Sequence, residues 1–495
     1  MNTNIVLLKS NRWEWKARTP RPARLHLRLL LAFLILPTVC RAEFRYETFG
    51  EGISITGYDC IAGDVSIPRM LDGLPVLRIG QSAFLDCDLL SNVTLPASVT
   101  QIDVGAFRNC TALETVTISG DVTDIGDLAF AGCVRLKGVN LPSTVTRIGD
   151  YAFLGCASLP SLQMPSGLSS IGRFAFQGCT SLDGVAIPDS VTLLEGGAFS
   201  DCTNLTRIAI PGSVSALATA TFLGCTRLAT VVISSGVISI GDLAFYQCTS
   251  LTNLALPRSL SSIEISATHG CTELTAITVD PENSTYGSLD GVLYDKSFTT
   301  LIQCPAGKAG GHTFPASVIR IGDLAFLDCT RITSVTLSAG VTHIGEQALS
   351  GCKRLASVTI PSSLLSIGHY AFRGCADLTS VCFQGNAPDL GQAVFELAES
   401  VIVYRLAAST GWGALFGERP VVVGGTDSTV SITPSLELAL VGAPGSTQTL
   451  LSRLTLDDTE AWQVMTNVTL EVTGRAVVRL PPAPGRSGFY RLRVP

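Results

Sequence analysis

Charge is scarce in this chain. Only 15% of its 495 residues are Asp, Glu, Lys or Arg, against 46% hydrophobic, and mean hydropathy is +0.39. Such a composition is usually met in membrane proteins, yet long apolar runs are scarce as well. The one long uncharged run, Leu29 to Leu36, is too short to span a bilayer. It follows a basic stretch from Lys9 to Arg28 and precedes Thr38-Val39-Cys40-Arg41-Ala42, the order of a secretory signal cut after Ala42. A lipid-anchored start at Cys40 fits poorly, because Val39 stands where such signals place a small residue. Eight basic groups and one acidic group leave with residues 1–42, moving the formal charge from −6 to −13. That acidity argues against nucleic acid, whose affinity comes from neutralised phosphates. The mature chain is expected to be secreted or held at the cell envelope or surface, with no transmembrane segment after cleavage.

The residues of catalysis and metal binding are also few. Histidine occurs five times. His26 leaves with the signal, and His269, His312, His343 and His369 are scattered without an H-E-x-x-H or nucleophile-elbow pattern. They are expected to face solvent. No C-x-x-C pair or His/Cys cluster at ligand spacing exists, so zinc has no site. Asp127, Asp150, Asp242 and Asp323 share one position of the repeat described next, but Arg173, Gly196, Thr219 and Ile265 interrupt the column. A solvated face is expected there rather than calcium or paired carboxylates. No catalytic residue, cofactor or metal is therefore assigned.

What the chain has in quantity is self-similarity. Cys87, Cys110, Cys133, Cys156, Cys179, Cys202, Cys225, Cys248 and Cys271 follow one another at 23 residues, and Cys329, Cys352 and Cys375 resume the period. From Cys133, one unit runs Leu136, Val139, Leu141, Pro142, Val145, Ile148, Gly149, Ala152, Phe153 and Cys156. A fixed period of this length means stacked coils. Val139 and Leu141 alternate with polar neighbours, as in a short strand with one buried face, and Pro142 ends it. Val145 to Ile148 forms a second extended stretch. A left-handed or tight bend is expected at Gly149, although Asp103, Glu195, Ala218 and Glu264 at equivalent positions show that glycine is not compulsory. A lone coil buries too little to offset its backbone entropy, so stability must come from stacking. Twelve in-register cysteines at a strand spacing of ~4.8 Å imply a rod or arc on the order of 60 Å long.

The pattern L-x-x-V-x-I-P-x-x-V-x-x-I-G-x-x-A-F-x-G-C, nearly intact from Leu136 to Cys156, resembles the BspA-like leucine-rich repeats of bacterial and protist surface proteins. The resemblance covers roughly residues 60–383. Ile53 to Tyr58 with Gly73 to Val76 resembles that family's opening coil, Asp290 to Tyr294 with Cys304 to Lys308 its longer variant coil, and Gly411 to Gly413 through Arg419-Pro420 its closing segment. It implies a role in adhesion to host proteins or other cells. The expected fold is mainly β: a leucine-rich-repeat solenoid of 23-residue coils with parallel strands, plus a small C-terminal all-β module. The expected divisions are a signal at 1–42, an N-terminal cap coil at 43–80, repeats at 81–383 with one enlarged coil at 280–314, a C-terminal cap at 384–424, a linker at 425–433 and the module at 434–495. The module's role, whether sorting, attachment or capping, stays open.

Outward strand positions supply the candidate binding surface. They are small and almost uncharged, and Thr94, Thr117, Asn140 and Gln163 stand out in four successive coils. Without Trp, Tyr or Arg anchors, binding there should be weak per coil and gain strength from multivalency. Tyr151, Phe174, Tyr246 and Tyr370 near the bend form a second candidate surface. The periodic thiols are expected to stay reduced, because stacked strands hold their Cβ vectors parallel and too far apart for bridges. The state of Cys60, Cys304 and Cys382 stays open. Taken together, the residues point to a monomeric, non-catalytic scaffold for an extracellular protein or glycan. A structural envelope or matrix protein, and less so a solenoid polysaccharide hydrolase or lyase, are the alternatives.

Overall fold

The computed structural model describes residues 44–424 and, beyond them, the backbone of strands Glu437–Val441, Thr447–Arg453, Gln463–Thr469, Arg475–Arg479 and Phe489–Arg493. The expected signal and linker lie outside the described residues. From Gly63 onward the chain winds through stacked coils, each adding a rung to two parallel ladders. In the first ladder, Leu90–Leu95, Thr115–Ile118 and Gly138–Val139 pair in register, so that Val93, Val116 and Val139 align. In the second, the two-residue strands Gln101–Ile102, Asp124–Ile125, Arg147–Ile148 and Ser170–Ile171 align their isoleucines in the same way. The alternation read from the sequence is the alternation observed: Thr115–Ile118 runs exposed, buried, exposed, buried. The solenoid of about 23-residue coils is nearly all β, a single 3-10 turn at Ile265–Thr268 apart among the described residues.

The bend works differently from expectation. Gly149 is not left-handed; the positive φ falls two residues on, at Tyr151 (57°), and equivalently at Leu128, Phe174, Ala220, Leu243, Leu324 and Tyr370. The Tyr151 N–H donates to the Arg173 carbonyl of the next coil at 2.8 Å, fixing that strained residue. Glycine recurs at position 149 for a different reason. A Cβ there would lie 2.7 Å from the Asp127 backbone nitrogen and 2.8 Å from the Gly126 carbonyl carbon, so coils touch backbone to backbone. The second ladder breaks between Leu193–Leu194 and Ala216–Leu217, where two neighbouring coils both carry a side chain at this position, Glu195 and Ala218.

Behind the bend the core is built of columns. The rings of Phe84, Phe107, Phe130, Phe153, Phe176, Phe199, Phe222 and Phe245 stack at 4.8 to 5.7 Å between centroids. Beside them the thiols from Cys110 to Cys271 each donate to a phenylalanine carbonyl of the preceding coil: Cys133 to Phe107 at 3.0 Å, Cys156 to Phe130 at 3.2 Å, Cys179 to Phe153 at 3.2 Å. Cysteine is thus small enough to pack, and its S–H satisfies a buried carbonyl.

One thiol departs from the expected reduced column. Cys87, its first member, is bonded to Cys60, with Cα atoms 4.8 Å apart. Cys60 sits in the irregular opening coil, left-handed at φ 52° and 27 rather than 23 residues from its partner, so its Cβ vector is freed from the parallel array. Cys110, Cys133, Cys156 and the later periodic cysteines are free and buried. Ahead of them, strand Phe44–Phe49 pairs antiparallel with Gly52–Tyr58, and the rings of Phe44 and Tyr58 lie over Phe84. At the far end, Trp412 and Phe416 pack on Phe383, while Arg419–Gly424 adds a last rung to Ile402–Leu406.

Between Cys271 and Cys329 an antiparallel meander, Tyr286–Leu289, Val292–Asp295 and Thr300–Gln303, is set into the second ladder, its last strand pairing in parallel with Arg320–Ile321. Thr268 and Cys304 stand where the phenyl column would continue. Tyr294 is fully buried in the later core, its hydroxyl 2.9 Å from His312 Nε2. The apolar core correspondingly falls into two clusters, one ending at Leu293 and one beginning at Val292.

The C-terminal strands are antiparallel: Glu437–Val441 with Arg475–Arg479, and Thr447–Arg453 between Gln463–Thr469 and Phe489–Arg493.

Candidate functional site

Thr94, Thr117, Asn140 and Gln163 are all exposed on the outward side of the first ladder, with Thr94 and Thr117 paired in register. The side chains of Thr94, Thr117 and Gln163 have no hydrogen-bond partner within the described residues. Asn140 does: its Oδ1 accepts the Ile118 N–H at 2.8 Å and its Nδ2 donates to the Ile118 carbonyl at 2.9 Å. The Asn140 amide, expected to face outward and free, therefore extends the ladder to Ile118. Lacking an N–H, Pro160 cannot make the rung its equivalents Lys137 and Asp183 make; the first ladder is interrupted between Gly138–Val139 and this coil, whose Ser161 keeps a single bridge to Gly184. The outward columns continue past the enlarged coil through Thr336, Thr359, Cys382 and Tyr404. Cys382, free and half-buried on that face, has its thiol pushed up to about 11 by desolvation.

The acidic column serves the backbone. Asp127 Oδ1 accepts the Asp150 N–H at 2.9 Å, Asp150 Oδ1 accepts the Arg173 N–H at 2.8 Å, and Asp323 Oδ1 accepts the Glu346 N–H at 2.8 Å. Each carboxylate ties its coil to the next, and Asp127 also pairs with Arg147 at 2.7 Å. Hydroxyls do the same on the other side: Thr144 donates to Val122, Ser190 to Leu168 and Ser213 to Val191, at 2.6 to 2.7 Å. No group of three His, Cys, Asp or Glu able to hold a metal occurs among the described residues. The bend aromatics largely spend their faces on the protein: Tyr151 and Phe174 stack at 5.3 Å, and the Phe174 ring lies where a Cβ on Gly197 would be.

Two histidines depart from the expected solvent-facing position. His312 is 3% exposed, at an inward strand position opposite Val335; burial first, and Lys308 second, push its pKa down to about 4. His269 is partly covered, its Nε2 buried without a partner and its pKa lowered by desolvation. His269 lines a cavity of about 10 Å³ with Thr268, Gln303, Cys304 and Asp328, room for roughly one water and no substrate. The irregular spacing of the enlarged coil hid His312 from the 23-residue alignment, whereas His269 is in register with Tyr246 and is covered where its coil meets the enlarged one. His369 instead joins the inter-coil ties, its Nδ1 accepting the Gln392 N–H at 2.8 Å.

Solved structures share this architecture. A leucine-rich repeat protein from Bacteroides ovatus is 26% identical, over 74% of this chain and 93% of that one, with a TM-score of 0.59. A leucine rich cell surface protein from Faecalibacterium prausnitzii is 24% identical over 75% of this chain and 95% of its own, at a TM-score of 0.44. A T. pallidum leucine rich repeat protein is 31% identical over 42% of this chain and 87% of its own, at 0.33. No curated protein matches the chain. Six copies of the BspA type leucine rich repeat region match at residues 77–206, 195–289 and 309–406, spans that take in nearly all of the coils just described, and the chain belongs to that family.

Proposed function

We propose that this protein is a non-catalytic recognition or adhesion scaffold, secreted or held at the cell surface, that offers its outward strand columns to an extracellular protein or glycan. The observation that carries the reading is the division of labour among polar groups. The periodic carboxylates, hydroxyls and thiols, such as Asp127, Asp150, Ser190 and Cys133, are bonded to neighbouring coils, whereas the side chains of Thr94, Thr117 and Gln163 stand exposed and unengaged among the described residues. A row of small polar groups suits contacts that are weak singly and add along the solenoid. Family membership supports a scaffold, since such repeats build extended binding surfaces.

The test is binding of the full mature chain to arrays of extracellular proteins and glycans, alongside the triple variant Thr94→Glu/Thr117→Glu/Gln163→Glu. Asn140 is left alone because its amide holds the ladder. A saturable partner lost by the triple variant, with thermal unfolding unchanged, supports the proposal. Unimpaired binding by the folded variant moves the site elsewhere, self-assembly without any partner favours a matrix protein, and turnover of a polysaccharide would overturn the scaffold reading.

A further inference from the structure

Beyond Cys352 the turn carries Lys353 and Arg354, and one coil earlier the same positions hold Thr330 and Arg331. The register Val335 with Val358 places Arg331 and Arg354 one above the other. No other pair of neighbouring coils from Cys110 to Cys375 carries arginine at this position; the sequence there runs Ala112, Arg135, Ser158, Ser181, Asn204, Arg227, Ser250 and Glu273. Like charges stacked at strand spacing repel, and in a chain of formal charge −6 the stacking is a local cost that folding does not require.

The surroundings show how the cations are held. Arg331 is clamped by Glu273 in a forked pair at 3.1 and 2.5 Å, and Lys308 is bound to Asp290 at 2.9 Å. Lys353 and Arg354 are exposed and make no ion pair or side-chain hydrogen bond among the described residues. Asp377, the next residue in the Arg354 column, forms no ion pair with it either. Arg331, Lys353 and Arg354 line a surface groove of about 450 Å³ with Ala309 and Thr330. It opens here because the enlarged coil presents only Ala309 beside them.

The geometry points to this groove as an anion-binding site for a polysaccharide carrying sulfate or carboxylate groups, distinct from the outward strand columns. The free guanidinium of Arg354 beside the ammonium of Lys353 suits such groups, and two adjacent cations in one open groove suit a polymer with closely spaced charges, while Arg331 keeps its fork on Glu273 and forms the groove wall. An acidic peptide fits less well. The groove offers neither an apolar pocket for its side chains nor a free strand edge for its backbone, since the Gly310 N–H is bonded to Arg331 and the Thr330 N–H to Asp328.

The test uses the full chain with three probes at low salt: a heparin oligosaccharide, polygalacturonate and poly-glutamate. Two variants change net charge equally, Lys353→Glu/Arg354→Glu in the groove and Arg108→Glu/Arg320→Glu at exposed cations elsewhere that form no ion pair among the described residues. The expected result is salt-dependent binding of at least one polysaccharide, weakened about tenfold or more by the groove variant and about twofold or less by the control, as a defined charge contact requires. Thermal unfolding of both variants should match the parent. Equal loss in both variants, preference for poly-glutamate, or no binding of either polysaccharide would overturn the assignment.

Discussion

Among single residues, His312 shows how a side chain can be plain in the sequence and misread there. Its residue type marks it as titratable, but only the meander's register turns it inward against Tyr294, Phe314 and Phe326. Burial favours the neutral ring, and the folded pKa of about 4 lies below the ordinary value near 6.5. Between those values the unfolded chain binds more protons, so stability is lost as pH falls from about 6.5 toward 4, by at most about 3 kcal/mol, and is unaffected above that window. The carboxylates whose pKa values lie low, such as Glu114 and Glu273, act below it. Urea unfolding at pH 7.5 and 5.0 should show this slope in the parent chain and a flatter one in His312→Gln; equal slopes would remove His312 as its origin. The thiols were legible to a greater degree. Cys179, Cys225 and Cys271 are pushed up to about 12 by desolvation, so alkylation of the native chain should leave them unmodified. Mass spectrometry should find Cys60 linked to Cys87, and label on Cys156 or Cys179 before unfolding would contradict the buried column.

Individual coils were read correctly where the repeat is regular, because an apolar position recurring every 23 residues has one structural meaning. Inter-coil ties were not legible: Asp127 and Asp150 look like a surface column until their Oδ1 atoms are seen accepting the backbone N–H of the next coil. Replacing Asp150 by Ala should cost about 1 to 2 kcal/mol by leaving the Arg173 N–H without that acceptor, and Asp150→Asn should cost less because an oxygen remains. Calcium should leave the unfolding midpoint of either variant unchanged. Phe153 tests the other side of the coil. It is fully buried and stacked between Phe130 and Phe176, so Phe153→Ala should cost about 3 to 5 kcal/mol, whereas Thr117→Ala, exposed on the outward face, should stay within about 0.5 kcal/mol. Chemical denaturation separates the two. Glycine at position 149 belongs to this scale as well: its place in the pattern suggests a turn, whereas its role is to let two backbones meet.

For the whole solenoid, stability is a sum over coil contacts, and the weakest contact sets how it comes apart. The phenyl column that runs unbroken from Phe84 to Phe245 stops at Thr268, and the core is divided at the meander into two clusters. Polar residues span the junction instead, with Gln303 Nε2 donating to Thr268 Oγ1 at 2.8 Å and Arg331 reaching Glu273 across it. Such contacts are worth less than stacked rings, because each exchanges hydrogen bonds already available in water. The coils before the meander should therefore unfold separately from those after it. Chemical denaturation of the full chain, followed by hydrogen exchange, should resolve two transitions. Phe153→Ala should lower only the one assigned to peptides before residue 280, and Phe372→Ala, a ring stacked on Phe395, only the one after residue 300. A single transition moved equally by both variants would show that the meander carries cooperativity through, and that its buried Tyr294–His312 pair joins the two cores more firmly than the missing rings divide them.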